Sequence, residues 1–464
     1  MRSVRVLLAS LALLLAGTGS PAQATERTET FRTGPVTVAG YQVLQEQAKG
    51  GLPKPSQDGF ITHMKVDVVD RDGTPVPIRR LMLHHIVFVN AGSKPGEKRD
   101  RTCNSLTALD SKTVFGSVPE RFYAAGEERA ELELPEGYGY RSKGADNWIM
   151  SYMLMNHRAK VDTAYIQYTV TFDDLPSLTP ADPYWLDVRN CRSDPVYDVA
   201  GGGAPGSLDT QRDTWRPPVG GRIVAGGGHV HGGGKELRLS QPGCGDRTLA
   251  SSKPKWGLPS HPFYNVRPVL HEPGPIEMSS YTTRKGIPVA AGEEIRLSSI
   301  YDAERPHTRV MGINVIYFAP DPSVTAPCGP LPGDLRELES DAPGRTAAPR
   351  VTVPLTGLDG RGRARTIDRP PGVAVRKGAR GASVAVRDLS FSQANLSVPR
   401  GATVRWRFMG PSLHDVTLAS GPRGFSSSHL DGGRAYRSKL TTPGTYRLFC
   451  SLHPVAMTQR IVVR

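Results

Sequence analysis

The chain has 464 residues, a formal net charge of +14, 50 glycines, 40 prolines and five cysteines. That length is too great for a single core and suggests about three domains. No stretch beyond the N-terminus is apolar enough to span a bilayer, and no nucleic-acid-binding motif accompanies the positive charge.

In chain order, "MRSVR" carries positive charge, "VLLASLALLLAG" is a short apolar run, and "AQA" ends at Ala24 with small residues at cleavage spacing. Residues 1–24 therefore read as a signal peptide cleaved after Ala24, which predicts a secreted, extracytoplasmic protein. Loss of Arg2 and Arg5 takes the charge from +14 to +12. Residues 25–178 hold strand-like runs: "HMKVDVVD", "LMLHHIVFVN", "NWIMSYMLMNH" and "AYIQYTVTF". A Pro-containing joint, "DDLPSLTPADP", follows. Residues 179–329 hold "YWLDV", "GRIVAGGGHVH", "KELRLS", "EEIRLSSIYD" and "RVMGINVIYF". Residues 330–380 are rich in Pro, Gly and Arg and read as a linker, with "RVTVPLTGL" docked on a neighbour. Residues 381–464 alternate strongly, as in "ASVAVRDLSFS" and "ATVRWRFMG", and make a small β-sandwich. They carry eleven Lys/Arg against three Asp/Glu, which serves solubility or an acidic docking partner.

The cysteines are Cys103, Cys191, Cys244, Cys328 and Cys450. Outside the cytosol disulfides are expected. If Cys450 has another role, four remain for two bridges, and three connectivities are open.

The strongest signal is "TYRLFCSLHPVAM" with "SLHDVTL" upstream. Cys450, His453 and Met457 share one short loop after a strand, and His414 lies 36 residues earlier. Two imidazoles and a thiolate in a trigonal plane, with a weak thioether on the axis, are what a blue copper site requires. This block resembles the cupredoxins, the plastocyanin, pseudoazurin and amicyanin group. A buried structural cysteine is the plainer reading, but four ligand types fall in register. His429, in "SSSHLDGG", reads as a solvated loop histidine.

In "AGGGHVHGGG", His229 and His231 are two apart, so on a strand their rings point the same way and can converge on one ion. The flanking glycines remove side chains that would block close approach. In "LMLHHIVF", His84 and His85 are adjacent, so on a regular strand they face opposite ways. Both reach one metal only if the backbone is irregular there or each ring uses its nearer nitrogen; otherwise one is a ligand and the other a core histidine. His157 follows an apolar strand and could simply cap it. Met311 starts another strand and could be core filler.

Taken in order, His-His, a strand-end His, His-x-His and a strand-start Met resemble the copper type II ascorbate-dependent monooxygenases typified by peptidylglycine α-hydroxylating monooxygenase and dopamine β-hydroxylase. The resemblance covers about residues 60–325. It implies that His84, His85 and His157 bind a first copper, and that His229, His231 and Met311 bind a second, where dioxygen is activated and a C–H bond hydroxylated. The glycines beside His229 and His231 then leave room for dioxygen and substrate. Supporting candidates are His307 and Arg309 in "RPHTRVMG", Tyr317 in "INVIYF", and His271 with Glu272 in a Pro/Gly loop. The animal enzymes carry more cysteines in this core, and no substrate-binding arginine is assignable.

The fold these resemblances imply is all-β: two tandem jelly-roll-type sandwiches, a linker and a small Greek-key cupredoxin sandwich. The implied cofactors are three coppers, one type 1 and two mononuclear type 2-like, with ascorbate or a redox protein as reductant. The implied partners are dioxygen, an organic substrate and an acidic redox protein on the basic C-terminal domain. A second reading is non-enzymatic copper storage, delivery or electron transfer. A multicopper oxidase or nitrite reductase fits less well, since the chain has one His-x-His and Cys450 is flanked by Phe449 and Ser451.

Overall fold

A computed structural model describes residues 26–47, 50–109, 112–174, 177–371, 374–378 and 380–464. The signal segment read over residues 1–24 lies outside the described residues. Among those residues the fold is all-β, with two short 3-10 turns at Pro242–Cys244 and Pro262–Asn265. Among the described residues no helix is long and apolar enough to cross a membrane.

Alternation builds the first sandwich. In Asp162–Asp173 every second residue is buried, which turns one face to the core. That strand pairs with Arg27–Val38 and Gly59–Val69, and Tyr138–Ser142 extends the sheet. The facing sheet runs Val43–Gln47, Trp148–Asn156, Leu81–Asn90, Glu120–Gly126. Between them lie Phe88, Phe122, Tyr140, Trp148 and Tyr168, with Phe122 stacked on Tyr140 at 4.8 Å.

The second sandwich has Gly221–Val230 at the centre of one sheet, between Gly312–Pro320 and Ser280–Val289. Its other sheet runs Leu208–Trp215, Ile295–Asp302, Gly234–Gln241, Arg247–Ser252. The two sandwiches do not have separate cores at their seam. Val224, Ala225, Tyr317 and Ala319 pack into the first core, and the Tyr317 hydroxyl donates to the Phe122 carbonyl at 2.7 Å. Cys103–Cys191 ties the first sandwich to the start of the second, and Cys244–Cys328 closes the far side of the second, which selects one of the three connectivities.

The stretch 330–380 lies along this body. Arg336–Leu338 adds a strand to the second sandwich, Arg345 bridges to Trp256, and Leu355 in "RVTVPLTGL" is buried. The C-terminal sandwich pairs Ala402–Phe408 with Gly381–Arg387 and Ala435–Leu440, facing a sheet centred on Thr458–Val463. It sits on the core. Val455 packs with Met82, Met155, Phe263 and Leu270, and Thr308 Oγ1 donates to the Leu418 carbonyl at 2.9 Å.

Candidate metal centres

The strand Gly444–Phe449 delivers Cys450 at its end, and a tight turn follows, in which the His453 and Met457 amides donate to the Cys450 and His453 carbonyls at 3.0 Å each. That turn brings three donors together. Cys450 Sγ lies 3.6 Å from His453 Nδ1 and 3.9 Å from His414 Nδ1. Met457 is fully buried in the same core cluster as Cys450. The Asp415 amide donates to Cys450 Sγ at 3.4 Å, and His414 Nε2 sits 3.3 Å from the Asp388 carboxylate. Outer partners of this kind fix ring orientation and thiolate charge in copper sites. Burial, with the Asp415 charge behind it, holds the Cys450 thiol well above its ordinary pKa. A bound cation would therefore have to displace that proton.

The histidine pair of the first sandwich resolves by a bulge. Across the pairing with Trp148–Asn156, Met153 faces His85 and Leu154 faces Leu83, so His84 is the extra residue. A bulge re-aims side chains. Here it turns both rings to one region, with centroids 5.4 Å apart at 81°. His84 is the hub. Its ring lies 5.3 Å from that of His231 and 4.9 Å from that of His271. His157 joins at the edge, 6.3 Å from His271. Sequence reasoning missed Glu127. Its carboxylate accepts from His271 Nε2, lies 3.8 Å from His84 Nε2, and is further fixed by the Gly274 amide at 3.0 Å. His84, Glu127 and His271 offer ligand atoms that all lie within 4.8 Å of one another. The two predicted ligand sets thus meet in one continuous cluster, with His271 between His84 and His157.

The strand Gly221–Val230 carries His229, and His231 opens the turn just beyond it. Their Nε2 atoms are 3.1 Å apart, so the two rings converge as the two-residue spacing predicts. Glu128 accepts from His229 Nδ1 at 3.1 Å, which leaves Nε2 as the inward donor. Met311 is joined to His231 through one hydroxyl. Tyr301 accepts from the His231 amide and donates to the Met311 carbonyl, both at 2.7 Å. The glycines do a different job from the one expected. A Cβ at Gly232 would stand 2.2 Å from Glu272 Cγ, and one at Gly233 would stand 2.1 Å from His307 Cε1. Their space is filled by protein. At Gly227 an added Cβ would meet nothing nearer than the Ser280 Cβ at 3.6 Å, and this residue lines open volume.

The donor chemistry suits a metal. His84, His85, His157 and His271 each have a buried Nδ1 with no hydrogen-bond partner. Leaving such atoms unpaired is costly. Burial pushes His84 down to about 3, His85 to about 4 and His157 to about 3, and holds His231 well below its ordinary value. Burial opposes ionisation of Glu127, but His271, His84 and the Gly274 amide together outweigh it and hold the carboxyl at about 2. For His229 burial is outweighed by the surrounding carboxylates, Glu128 foremost with Glu127 and Asp187, and its pKa is raised. Neutral rings beside an ionised carboxylate are the unprotonated donors that a bound metal cation needs.

A pH dependence follows for the metal-free protein. Below pH 6.5 the unfolded chain protonates histidines that the folded chain keeps neutral. Stability should therefore fall between pH 6.5 and about 4, by about 1.4 kcal/mol per pH unit for each such histidine, with His229 opposing. Urea midpoints measured from pH 8 to pH 4 check this; a level profile would mean the rings are wet.

Two cavities flank the cluster. One, of about 460 Å³, lies at the seam of the two sandwiches and is bounded by His85, His229, Met311, Trp185 and Val315. The other, of about 210 Å³, lies under the C-terminal domain, bounded by His84, His231 and His271 on one side and Ser451 and Leu452 on the other. His85 and Met311 border both.

Of the supporting candidates, His271 joins the cluster itself. His307 is buried under the His231 turn with Nδ1 2.7 Å from Glu272. Tyr317 ties the sandwiches together, and Arg309 turns toward the C-terminal domain. His429 is the correction. It is not solvated but 3% exposed, with Nε2 3.3 Å from Ser451 Oγ and Nδ1 3.5 Å from Asp194, because its loop is pressed against the core.

Comparison with protein-family profiles gives no match, and neither does comparison with curated proteins. Among solved structures, similarity is found to an oxidised amicyanin mutant, at 25% identity over 18% of this chain and 80% of that one, with a TM-score of 0.17. A novel purple cupredoxin from Nitrosopumilus maritimus is similar at 23% identity over 18% of this chain and 99% of that one, also with a TM-score of 0.17.

Proposed function

We propose that the protein is an exported copper-dependent monooxygenase in which a C-terminal type 1 site feeds electrons to a histidine-rich core. One observation carries this reading. The cluster of His84, His85, His231, His271 and Met311 lines the cavity under the C-terminal domain, opposite the Phe449, Ser451 and Leu452 that flank Cys450, and its His85 and Met311 also border the seam cavity. Copper held there would supply one-electron redox chemistry and a place for dioxygen. The cavity of about 460 Å³ falls within the usual range for small-molecule sites and is mostly apolar, which suits an apolar organic substrate. Glu128 and Tyr301 hold His229, His231 and Met311 in place, so the chain's role is to orient donors and keep water out. Two disulfides fit an oxidising compartment. Ascorbate or an acidic redox protein would reduce the C-terminal site; Arg405, Arg407, Arg437 and Lys439 are exposed on one sheet face, Arg405 directly opposite Arg437. Like charges so placed favour an acidic partner over isolation.

A non-catalytic copper store has one observation in its favour. The His229 and His231 Nε2 atoms and the Glu127–His271 pair crowd the cluster, which suits holding metal more than leaving a coordination position open. Copper counting combined with oxygen uptake under ascorbate separates the two. Three coppers, with uptake lost in Met311→Ala, support the monooxygenase. Copper retention with uptake indifferent to that substitution supports the store.

A further inference from the structure

The C-terminal domain is held to the core by a buried ionic device centred on Arg309. This residue is the last but one before Met311 and has φ +54°, in the left-handed region that a non-glycine residue enters only when its surroundings compel it. Its amide donates to Asp198 Oδ1 at 3.0 Å. Its guanidinium pairs with Asp194 on the core and lies 3.3 Å from Asp415 on the C-terminal domain, while Nη1 also donates to the Ser427 carbonyl at 3.2 Å. Asp198 in turn accepts from the Ser426 amide at 2.6 Å. One residue and its turn thus grip both domains.

Each carboxylate is also wired to a candidate centre. Asp194 acts electrostatically on His85 and borders the same cavity. Asp415 adjoins His414, sends its amide to Cys450 Sγ at 3.4 Å, and accepts from the Ser451 amide and hydroxyl at 2.6 Å each. The Arg309 cation therefore neutralises the carboxylate that holds the backbone around Cys450. His429 closes the ring from the other side, between Asp194 and Ser451.

We propose that Arg309 is a positioning residue that couples two properties: it clamps the C-terminal domain over the histidine cluster and, through Asp415, sets the charge experienced at the Cys450 site. The second half rests on the copper reading above; the first does not. Removing the cation leaves Asp415 uncompensated in a low-dielectric site. That favours the more positive, oxidised state of a copper held by Cys450, so its midpoint potential falls. Releasing the domain has the same effect, because Arg309 then leaves Asp415 behind.

The test uses the full chain with Arg309→Met, Arg309→Lys and Asp198→Asn. In the metal-free protein, small-angle scattering should give a larger radius of gyration for Arg309→Met, and trypsin should cut within 330–380 at least about tenfold faster, as expected when a buried charge pair loses one partner. Arg309→Lys, which keeps the charge, should stay near the parent. In the copper-loaded protein the midpoint potential should fall in Arg309→Met and, in proportion to opening, in Asp198→Asn, with the visible band retained. An unchanged radius and cleavage rate in Arg309→Met overturns the clamp. An opened protein with an unchanged potential overturns the coupling. Absence of copper at Cys450 in the parent would instead defeat the copper reading, while scattering and cleavage still decide the clamp.

Discussion

Cys450→Ser is expected to abolish the intense visible absorption of the copper-loaded protein while leaving the core copper in place. The sulfur is the point on which His414 and His453 converge, at 3.9 and 3.6 Å, and it is fully buried. The colour of such sites comes from covalent overlap between copper and a thiolate. A serine hydroxyl in the same place is a hard, protonated donor and offers none. Copper affinity at this site should drop by more than about 100-fold, since even groups that only orient ligands are worth about 10–100-fold. The core lies across a domain boundary and shares no donor with Cys450, so its copper count should not change. Optical spectra and metal analysis of the same sample decide the matter. Colour that survives would rule out the cysteine as ligand.

His84→Ala should have the larger effect on the core. Its ring touches those of His85, His231 and His271, and its Nε2 lies 3.8 Å from Glu127. Removing it takes out the member of the first predicted ligand set whose ring also contacts the second set, at His231. Copper bound by the core should fall toward zero, with the blue band intact. His157→Ala should cost less, because His157 sits at the edge of the cluster, its ring 6.3 Å from that of His271. A core that keeps its full copper after His84→Ala would show that the cluster is not the metal-holding element.

Much of the candidate site was legible in one dimension because strand geometry is periodic. The two-residue spacing of His229 and His231 predicts convergence, and they converge. The adjacency of His84 and His85 poses the question that only an irregular strand answers, and the bulge at His84 answers it. The Cys-x-x-His turn needs no tertiary information at all. What escaped has a common physical cause. Glu127 and Glu128 follow the end of a strand in "GEER", where charged residues ordinarily face water. His271 is legible only as a supporting candidate, because a Pro/Gly loop has no period that would place its ring against His84. His429 is buried only because one domain rests on another, and no local pattern encodes that contact. The flanking glycines carried the right signal, close approach, but not the identity of what approaches: Glu272 and His307 occupy the space.

The packing of Val455 against Met82, Met155, Phe263 and Leu270 bears on how separable the parts are. In sequence the C-terminal block looks like an interchangeable cassette. In space its ligand loop is one wall of a greasy pocket whose other wall belongs to the core. Cutting the chain near 380 would leave both halves with a raw sticky face, so neither is a fair stand-in for the whole. A chimera carrying a different cassette would need to inherit Val455 and its neighbours, not merely the four candidate ligands.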